Sequence, residues 1–573
     1  MLKKLLIALS MPLIAFSLMA ITVTASSHPI TGAAAANQQP MVVRIYYATS
    51  AQLSALRRTI DVWAVYPDRG VVDALVWPDQ YVLLLAQGYR VEIDRDRTTQ
   101  LNRPAQYLPG QTNGIPGYPC YRTVEETYAT AQSIVSAHPD LAQWINIGDS
   151  WEKSAAGGNP GYDLMVLKLT NQTISGPKPK FFSMSSVHAR EYTPAELNTR
   201  FAEYLINNYG SDPDVTWLLD YNEVHLLLQA NPDGRKKAET GLSWRKNTNE
   251  NYCGATSNSR GADLNRNYPF FWNSCAPGDG CSSGSQCDLT YRGPSAASEP
   301  ETQAVVNYVR AQYPDLRADD LSAAAPITTS GLFMDLHSYS ELVLWSWGFT
   351  SAAAPNGTAL QTLGRKFAYF NNYTPQQAVG LYPADGTTDD FAYGDLGVPA
   401  YTFELGTNFF QACSTFENTI VPNNLPALLY GLKALRRPYQ NPAGPDTLSV
   451  SVTPTTTLAG MTITLTAVAN DTRYRSGAGE PTQNIAAARY AIDVPSWVAG
   501  AVTYPLSAAD GAFNTPIESL QAALNSSSVG AGRHIIFVES QDASGNWGPP
   551  TAAFVWITTA GQHLYLPIVM RGT

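Results

Sequence analysis

Between Tyr118 and Pro438 the chain alternates short apolar runs with longer stretches of helical period, and no other feature restricts its fold as much. Strands are expected at residues 164–169, 180–187, 224–229, 332–336 and 400–405, and helices at 124–137, 193–209, 298–312 and 359–369. Near-continuous apolar strands separated by helices predict an α/β unit, a mostly parallel mixed sheet with helices on both faces. In such sheets ligands collect at the carboxyl ends of the strands. The residues just past those strands are therefore the ones to read for chemistry.

At 573 residues the chain is several domains long, so further cores are expected on either side of 118–438. Upstream, residues 40–95 read as strand, helix, strand, strand, helix, strand, with Pro78 at the favoured first position of the second helix. That order is the ferredoxin-like α+β unit. Residues 96–117 are rich in Arg, Gln, Pro and Gly and read as an exposed linker. Downstream, residues 446–559 carry short strands at 449–452, 462–469, 489–492, 534–539 and 553–558, separated by turns such as Asp542-Ala543-Ser544-Gly545-Asn546. Short strands without long helices predict an all-β sandwich of immunoglobulin or fibronectin type. The tail, 560–573, is apolar and basic and reads as an address or a last edge strand.

The first 25 residues have the form of a secretory signal: Lys3 and Lys4, an apolar run from 5 to 23, and small residues at Val23-Thr24-Ala25. The competing reading is an uncleaved anchor, because the run is nearly long enough to span a bilayer. Cleavage makes the protein secreted, with no membrane contact afterwards. Six cysteines without a C-x-x-C pair fit exported disulfides better than cysteine-bound zinc, and spacing alone does not select the pairing. Thirty-seven basic against 47 acidic residues leave a net charge of -10, which argues against a nucleic-acid or anionic-membrane partner.

Chemistry concentrates at residues 181–191, Phe-Phe-Ser-Met-Ser-Ser-Val-His-Ala-Arg-Glu. His188 and Glu191 lie three apart just after a strand, a spacing that puts both on one face of a helical turn. Imidazole and carboxylate are both zinc ligands, and a catalytic zinc takes three protein ligands and keeps one position open. A bare H-x-x-E is a weak signal. It gains weight because His337 comes directly after the strand Leu-Phe-Met-Asp-Leu at 332–336 and Glu404 ends the strand at 400–405, so a parallel sheet would bring all four to one edge. His225, inside the apolar run at 224–228, reads as a core residue.

On these residues the segment 118–438 resembles the carboxypeptidase A/B family of zinc peptidases, the M14 class. The resemblance runs through His-Ala-Arg-Glu at 188–191, Asn-Pro-Asp-Gly at 231–234, Trp-Arg-Lys at 244–246 and Asp-Leu-Asn-Arg-Asn at 263–267. It continues through His-Ser-Tyr-Ser at 337–340, Tyr-Pro-Ala-Asp-Gly at 382–386 and Phe-Glu-Leu at 403–405. It implies that His188, Glu191 and His337 bind one zinc ion and that Glu404 is the general base. It also implies that Arg245 polarises the scissile carbonyl, that Asn265 and Arg266 grip the substrate's terminal carboxylate, and that Tyr382 closes over it. Arg190 matches an outer subsite, and Asp263 the acceptor that orients His188. Tyr339, beside a ligand, reads equally as packing or as substrate contact.

Asp389 matches the side-chain pocket position that is aspartate in B-type enzymes, which implies a preference for basic, Lys or Arg, or mixed C-terminal residues. Cys253 and Cys287 match a disulfide of the family; Cys275 then pairs locally with Cys281, leaving Cys120 with Cys413. Residues 40–95 resemble the family's prosegment, and Arg95, Arg97 and Arg103 offer cleavage sites for a trypsin-like protease. The expected function is a secreted, monomeric zinc metallocarboxypeptidase acting on the C-termini of peptides and proteins, with the sandwich available for a surface or polysaccharide. The alternatives are a cell-wall peptidase for D-amino-acid bonds and an inactive metal-free binding protein.

Overall fold

In the computed structural model, which describes residues 39–155, 159–275, 281–475 and 482–559, three sheets organise the chain. The signal expected at 1–25 and the tail expected at 560–573 lie outside the described residues. The first sheet is antiparallel and holds Met41–Tyr46, Asp61–Tyr66, Val71–Val76 and Arg90–Ile93, with Met41–Tyr46 between the third and fourth of these. Its helices start where local chemistry says they should. Thr49 Oγ1 accepts from Gln52 N at 3.2 Å while Gln52 Oε1 accepts from Thr49 N at 3.3 Å, a capping box for Ser50–Thr59. Pro78 opens Pro78–Ala86.

The stretch expected to be an exposed linker begins with a helix, Arg95–Leu101. Asp94 caps it, its carboxylate accepting from Arg97 N at 3.0 Å. Arg-Asp-Arg-Thr-Thr-Gln-Leu has no apolar period, so this cap was the only signal in the sequence. Residues 103–110, beyond the helix, are exposed.

The second sheet has eight strands, in the order Thr374–Gln377, Leu342–Trp345, Ala400–Glu404, Leu332–His337, Lys180–Ser185, Glu223–Leu227, Asp163–Leu169 and Ala142–Asp149. The central four run parallel. Antiparallel pairings flank them, so the sheet is mixed. Register sets Glu404 opposite His337 and Ser185 opposite Leu336. The strand expected to reach 187 stops at Ser185, because Ser186 takes φ 61 and turns the chain out of the sheet. Helices Val124–Ala137, Tyr192–Asn208, Pro300–Gln312 and Gly357–Asn371 pack against these strands. Val124–Ala137 is started by a Thr123/Glu126 capping box, and Tyr192–Asn208 buries most of its length.

The third sheet closes on itself as a sandwich. Asp446–Thr453, Thr462–Asn470 and Ile517–Asn525 form one layer; Ile485–Ile492, Gly532–Asp542, Thr551–Thr558 and Thr456–Leu458 form the other. Thr503–Ala508 pairs with a strand of each layer and joins them. Leu465, Ile485, Leu520, Ile536 and Val555 fill the space between. A buried ion pair, Lys366 Nζ to Asp446 Oδ1 at 2.9 Å, and the rings of Trp217, Tyr221, Trp497 and Phe537 tie the sandwich to the central unit. The three disulfides are Cys120–Cys413, Cys253–Cys287 and Cys275–Cys281, the expected pairing. Among the described residues no helix is long and apolar enough to cross a membrane.

Candidate active site

His188 and Glu191 do meet, but through a tight turn rather than a turn of helix. Glu191 N donates to His188 O at 3.2 Å, and Glu191 is the last residue before the helix Tyr192–Asn208. Positive φ at Ser186 and this turn fold the loop back so that His188 Nδ1 lies 2.8 Å from Glu191 Oε1. His337 arrives from the neighbouring strand end, its Nδ1 3.1 Å from Glu191 Oε2 and 3.2 Å from His188 Nδ1. All three side chains are buried, and their ligand atoms lie within 4.8 Å of one another.

The outer nitrogens explain why the inner ones face a common point. His188 Nε2 is 3.0 Å from Asp263 Oδ1, and His337 Nε2 is 2.9 Å from Asp335 Oδ2. A carboxylate at each Nε2 fixes the proton there and leaves each Nδ1 lone pair aimed inward. Two imidazole lone pairs and a carboxylate converging in a buried space are the donor set that zinc takes. The residues present therefore fit that metal.

Asp263 does two jobs with its two oxygens. Oδ1 holds His188, and Oδ2 accepts from Arg245 Nε at 3.1 Å and Nη2 at 2.9 Å. Burial works against its charge, but Arg245 and then His188 hold the carboxyl well below its ordinary range. Arg245 is placed by the backbone around it. Its carbonyl accepts from Ala189 N at 3.1 Å, and Asn231 Nδ2 donates to both Val187 O at 3.1 Å and Lys246 O at 3.0 Å. Asn231 thereby locks the His188 loop to the Arg245 loop, which gives a physical reason for the Asn-Pro-Asp-Gly segment.

Further back, Asn247 Nδ2 donates to Glu299 Oε2 at 2.9 Å and Glu301 Oε2 at 3.1 Å. Burial, then Glu299 and Asp233, push Glu301 up to about 8 from the usual 4.5. Because the folded value lies above the unfolded one, its contribution to stability is fully present below pH 4.5 and is lost as pH rises through 8. Each pH unit inside that window removes up to about 1.4 kcal/mol. Glu301→Gln should flatten this part of the curve, so the Tm difference between variant and wild type should move in favour of the variant from pH 5 to pH 8. A difference that stays constant over that range would contradict the account.

Glu404, Asn265, Arg266 and Tyr382 complete the neighbourhood, lining with His188 and Arg245 one cavity of about 50 Å³. Burial pushes Glu404 up to about 8, with His337 pulling it down and Glu191 raising it. Asn265 Oδ1 accepts from Thr388 N at 2.9 Å, and its Nδ2 is 3.4 Å from His337 Nε2. Arg266 donates Nε to Cys281 O at 2.9 Å and Nη1 to Asn265 O at 2.6 Å. Asp389 sits in the helix Thr388–Leu396, fully buried, with Oδ1 accepting from Asp390 N at 3.0 Å. Burial raises it above the ordinary carboxyl range.

The opposite wall of that cavity comes from Val62, Trp63 and Ala64 of the first sheet. Arg190 is drawn into this contact: its fork pairs with Asp61, Nη1 to Oδ2 at 2.5 Å and Nη2 to Oδ1 at 3.0 Å. Arg57 lies 4.1 Å over the Tyr382 ring and donates to Pro383 O at 3.3 Å. Arg97 joins Asp73 Oδ2 at 2.6 Å to the Tyr339 hydroxyl. Tyr339 is thus engaged by the N-terminal unit, and Arg97 is held rather than offered to a protease. His225 is a core residue, hydrogen-bonded to Tyr308 at 2.7 Å.

Sequence reasoning missed Asp335 and Thr388, and gave Asn231, within the Asn-Pro-Asp-Gly motif, no role. For Asp335 a sign was present: it is the one ionisable residue in Leu-Phe-Met-Asp-Leu, and at i−2 from His337 it shares that residue's face of the strand.

Known proteins resemble this chain in sequence and in fold. A model of the zinc carboxypeptidase family, Peptidase_M14, matches residues 127–424. A zinc carboxypeptidase of Saccharothrix mutabilis subsp. capreolus is 29% identical over 343 residues, covering 57% of this chain and 73% of the relative. Carboxypeptidase A4 of Mus musculus is 30% identical over 335 residues, covering 57% of this chain and 71% of the relative. The crystal structure of carboxypeptidase A from Helicoverpa armigera superposes with a TM-score of 0.54 at 20% identity, covering 70% of this chain and 98% of that one.

Proposed function

Because this chain belongs to the zinc carboxypeptidase family, whose members are metallocarboxypeptidases, we propose that it is a secreted exopeptidase that removes C-terminal residues, preferentially Lys and Arg. The observation that carries this reading is the convergence of His188 Nδ1, His337 Nδ1 and Glu191 in one buried space, with Glu404 in register with His337. His188, Glu191 and His337 hold a single zinc ion. That ion, when bound, supplies a Lewis acid for the scissile carbonyl and lowers the pKa of water.

The protein's own groups do the rest. Glu404 takes a proton from the attacking water and returns it to the leaving amine. Arg245, kept charged and oriented by Asp263, donates to the carbonyl oxygen as negative charge develops there. Asn265, Arg266 and Tyr382 bind the substrate's free carboxylate, and this restricts cleavage to chain ends. Asp389 favours a basic side chain through a charge-assisted hydrogen bond, and Arg190 serves an outer subsite once Asp61 has left it.

Residues 40–95 act as an inhibitory prosegment in this reading, supported by the walls that Val62, Trp63 and Ala64 contribute to the cavity. The substrate preference is tested by comparing hippuryl-Arg with hippuryl-Phe. The Arg substrate should be cleaved with the higher kcat/KM, and equal or better use of Phe would remove the basic preference.

A further inference from the structure

Arg266 and Tyr382 reach the cavity from distant parts of the chain, and one short bridged segment touches the supports of both. Arg266 Nε donates to Cys281 O at 2.9 Å and Nη1 to Asn265 O at 2.6 Å. Both acceptors are neutral carbonyls, so the guanidinium is aimed without being neutralised and its charge stays available to an anion. Asp385, in the same Tyr-Pro-Ala-Asp-Gly segment as Tyr382, is buried, and its Oδ2 accepts from Ser274 N at 2.9 Å and Cys275 N at 3.4 Å. Cys275 and Cys281 are joined by a disulfide, with Cα atoms 6.2 Å apart. One covalent link therefore connects the carbonyl that aims Arg266 to the amides that hold the Tyr382 segment.

Stability alone does not explain a bridge at this place. A crosslink stabilises mainly by restricting the unfolded chain, and the effect grows with the loop it closes. Cys120–Cys413 spans 293 residues and Cys275–Cys281 spans 6, so the second restricts the unfolded chain much less. Its effect in the folded state is local. Downstream, Cys281 is already tethered. Ser283 bonds through its backbone to Thr290 and Arg292, Cys253–Cys287 closes the same loop, and Lys246 Nζ donates to Gln286 O and Asp288 O at 3.0 Å each. Upstream, the disulfide supplies the tether, and through Cys275 that tether ends on Asp385. The Tyr382 segment has a second tie, Tyr268 N to Gly386 O at 3.0 Å, which fixes its far end.

We propose that the Cys275–Cys281 disulfide and Asp385 position the clamp for the substrate's free carboxylate, setting Arg266 and Tyr382 at one fixed separation. Opening the bridge frees the Cys281 carbonyl on one side and leaves Asp385 holding an untethered segment on the other. The guanidinium then loses its aim. His188, Glu191, His337 and Arg245 keep theirs, because they are held through Asp263, Asp335 and one another. Binding of the chain end weakens while the chemical step is spared, which gives a higher KM with kcat little changed. This rests on the reading of Arg266 and Tyr382 as the carboxylate clamp and adds the device that sets it.

The test compares trypsin-treated wild type with the double variant Cys275→Ser/Cys281→Ser and with Asp385→Ala. It reads kcat and KM on a peptide ending in free-acid Arg, with zinc content determined for each protein. Both variants should raise KM about tenfold, the lower end of the range for a hydrogen bond to a charged group, and keep kcat within about threefold and zinc at the wild-type level. The inhibition constant of free L-arginine should rise by the same factor. That of acetohydroxamate, a zinc ligand without a carboxylate, should not move. A purely structural bridge would lower Tm and move neither KM nor the L-arginine constant, and unchanged KM in a folded double variant overturns the proposal. So does a KM shift confined to Asp385→Ala. If the double variant does not fold, Asp385→Ala decides on the same readings. Wild type that trims the amide of this peptide as readily as the free acid overturns the clamp reading itself, whatever the variants show.

Discussion

Glu404→Gln is expected to lower kcat about 10³- to 10⁴-fold while the protein keeps its zinc, the upper part of the range for losing a general base. The amide has nearly the shape of the carboxylate, so the fold and the metal ligands should be undisturbed. What disappears is the proton acceptor. Glu191 cannot replace it, because its oxygens lie 2.8 Å from His188 and 3.1 Å from His337 and it also accepts from Ser338 N at 3.0 Å. Asp263 is held in the same way by His188 and Arg245. Glu404 is the remaining carboxylate on the cavity wall. Zinc analysis beside single-turnover kinetics checks the result; a variant with full zinc and more than a tenth of wild-type kcat would remove Glu404 from this role.

The second large effect is release from the N-terminal unit. Contacts that hold that unit and its following helix over the site include Arg190 with Asp61, Arg57 on Tyr382, and Arg97 with Tyr339. Each occupies a residue that lines the cavity or that the mechanism needs for substrate. A cover that leaves the cleft open about 1% of the time lowers turnover about 100-fold. Of the three candidate arginines, Arg97 is held by two partners and Arg103 is followed by Pro104, a bond trypsin does not cut, whereas Arg95 is exposed at the first position of its helix. Mild trypsin should therefore cut after Arg95 and raise activity roughly 100-fold, and Arg95→Gln should slow that rise. Full-length protein already as active as the cut form would show that the N-terminal unit does not inhibit.

Much of the fold and the site is legible in the sequence. The central strands are apolar enough to be found within one or two residues; His337 and Glu404 end two of them, and His188 and Glu191 follow in the turn past a third, at the edge where a parallel sheet collects them. What escaped depends on tertiary context. The helix Arg95–Leu101 has no apolar face to announce it and is held by a cap and by Arg97's distant partners. Thr503–Ala508 and Ile517–Asn525 are hidden because Pro505 and a run of small residues blur their alternation. Asp335 passes as part of an apolar run, since nothing local says that its carboxylate reaches back to His337. The occupation of Arg190 by Asp61 pairs residues 129 apart in sequence, beyond the reach of pattern.

The central claim is that a zinc-dependent centre reads a free chain end. It is tested most directly by incubating the trypsin-treated protein with two forms of one peptide ending in Arg, one a free acid and the other an amide, and reading the products by mass spectrometry. The account predicts loss of the terminal Arg from the free acid, an intact amide, and no cleavage of either after zinc is removed with 1,10-phenanthroline. Equal trimming of the amide, internal cleavage, or activity that survives chelation would contradict it.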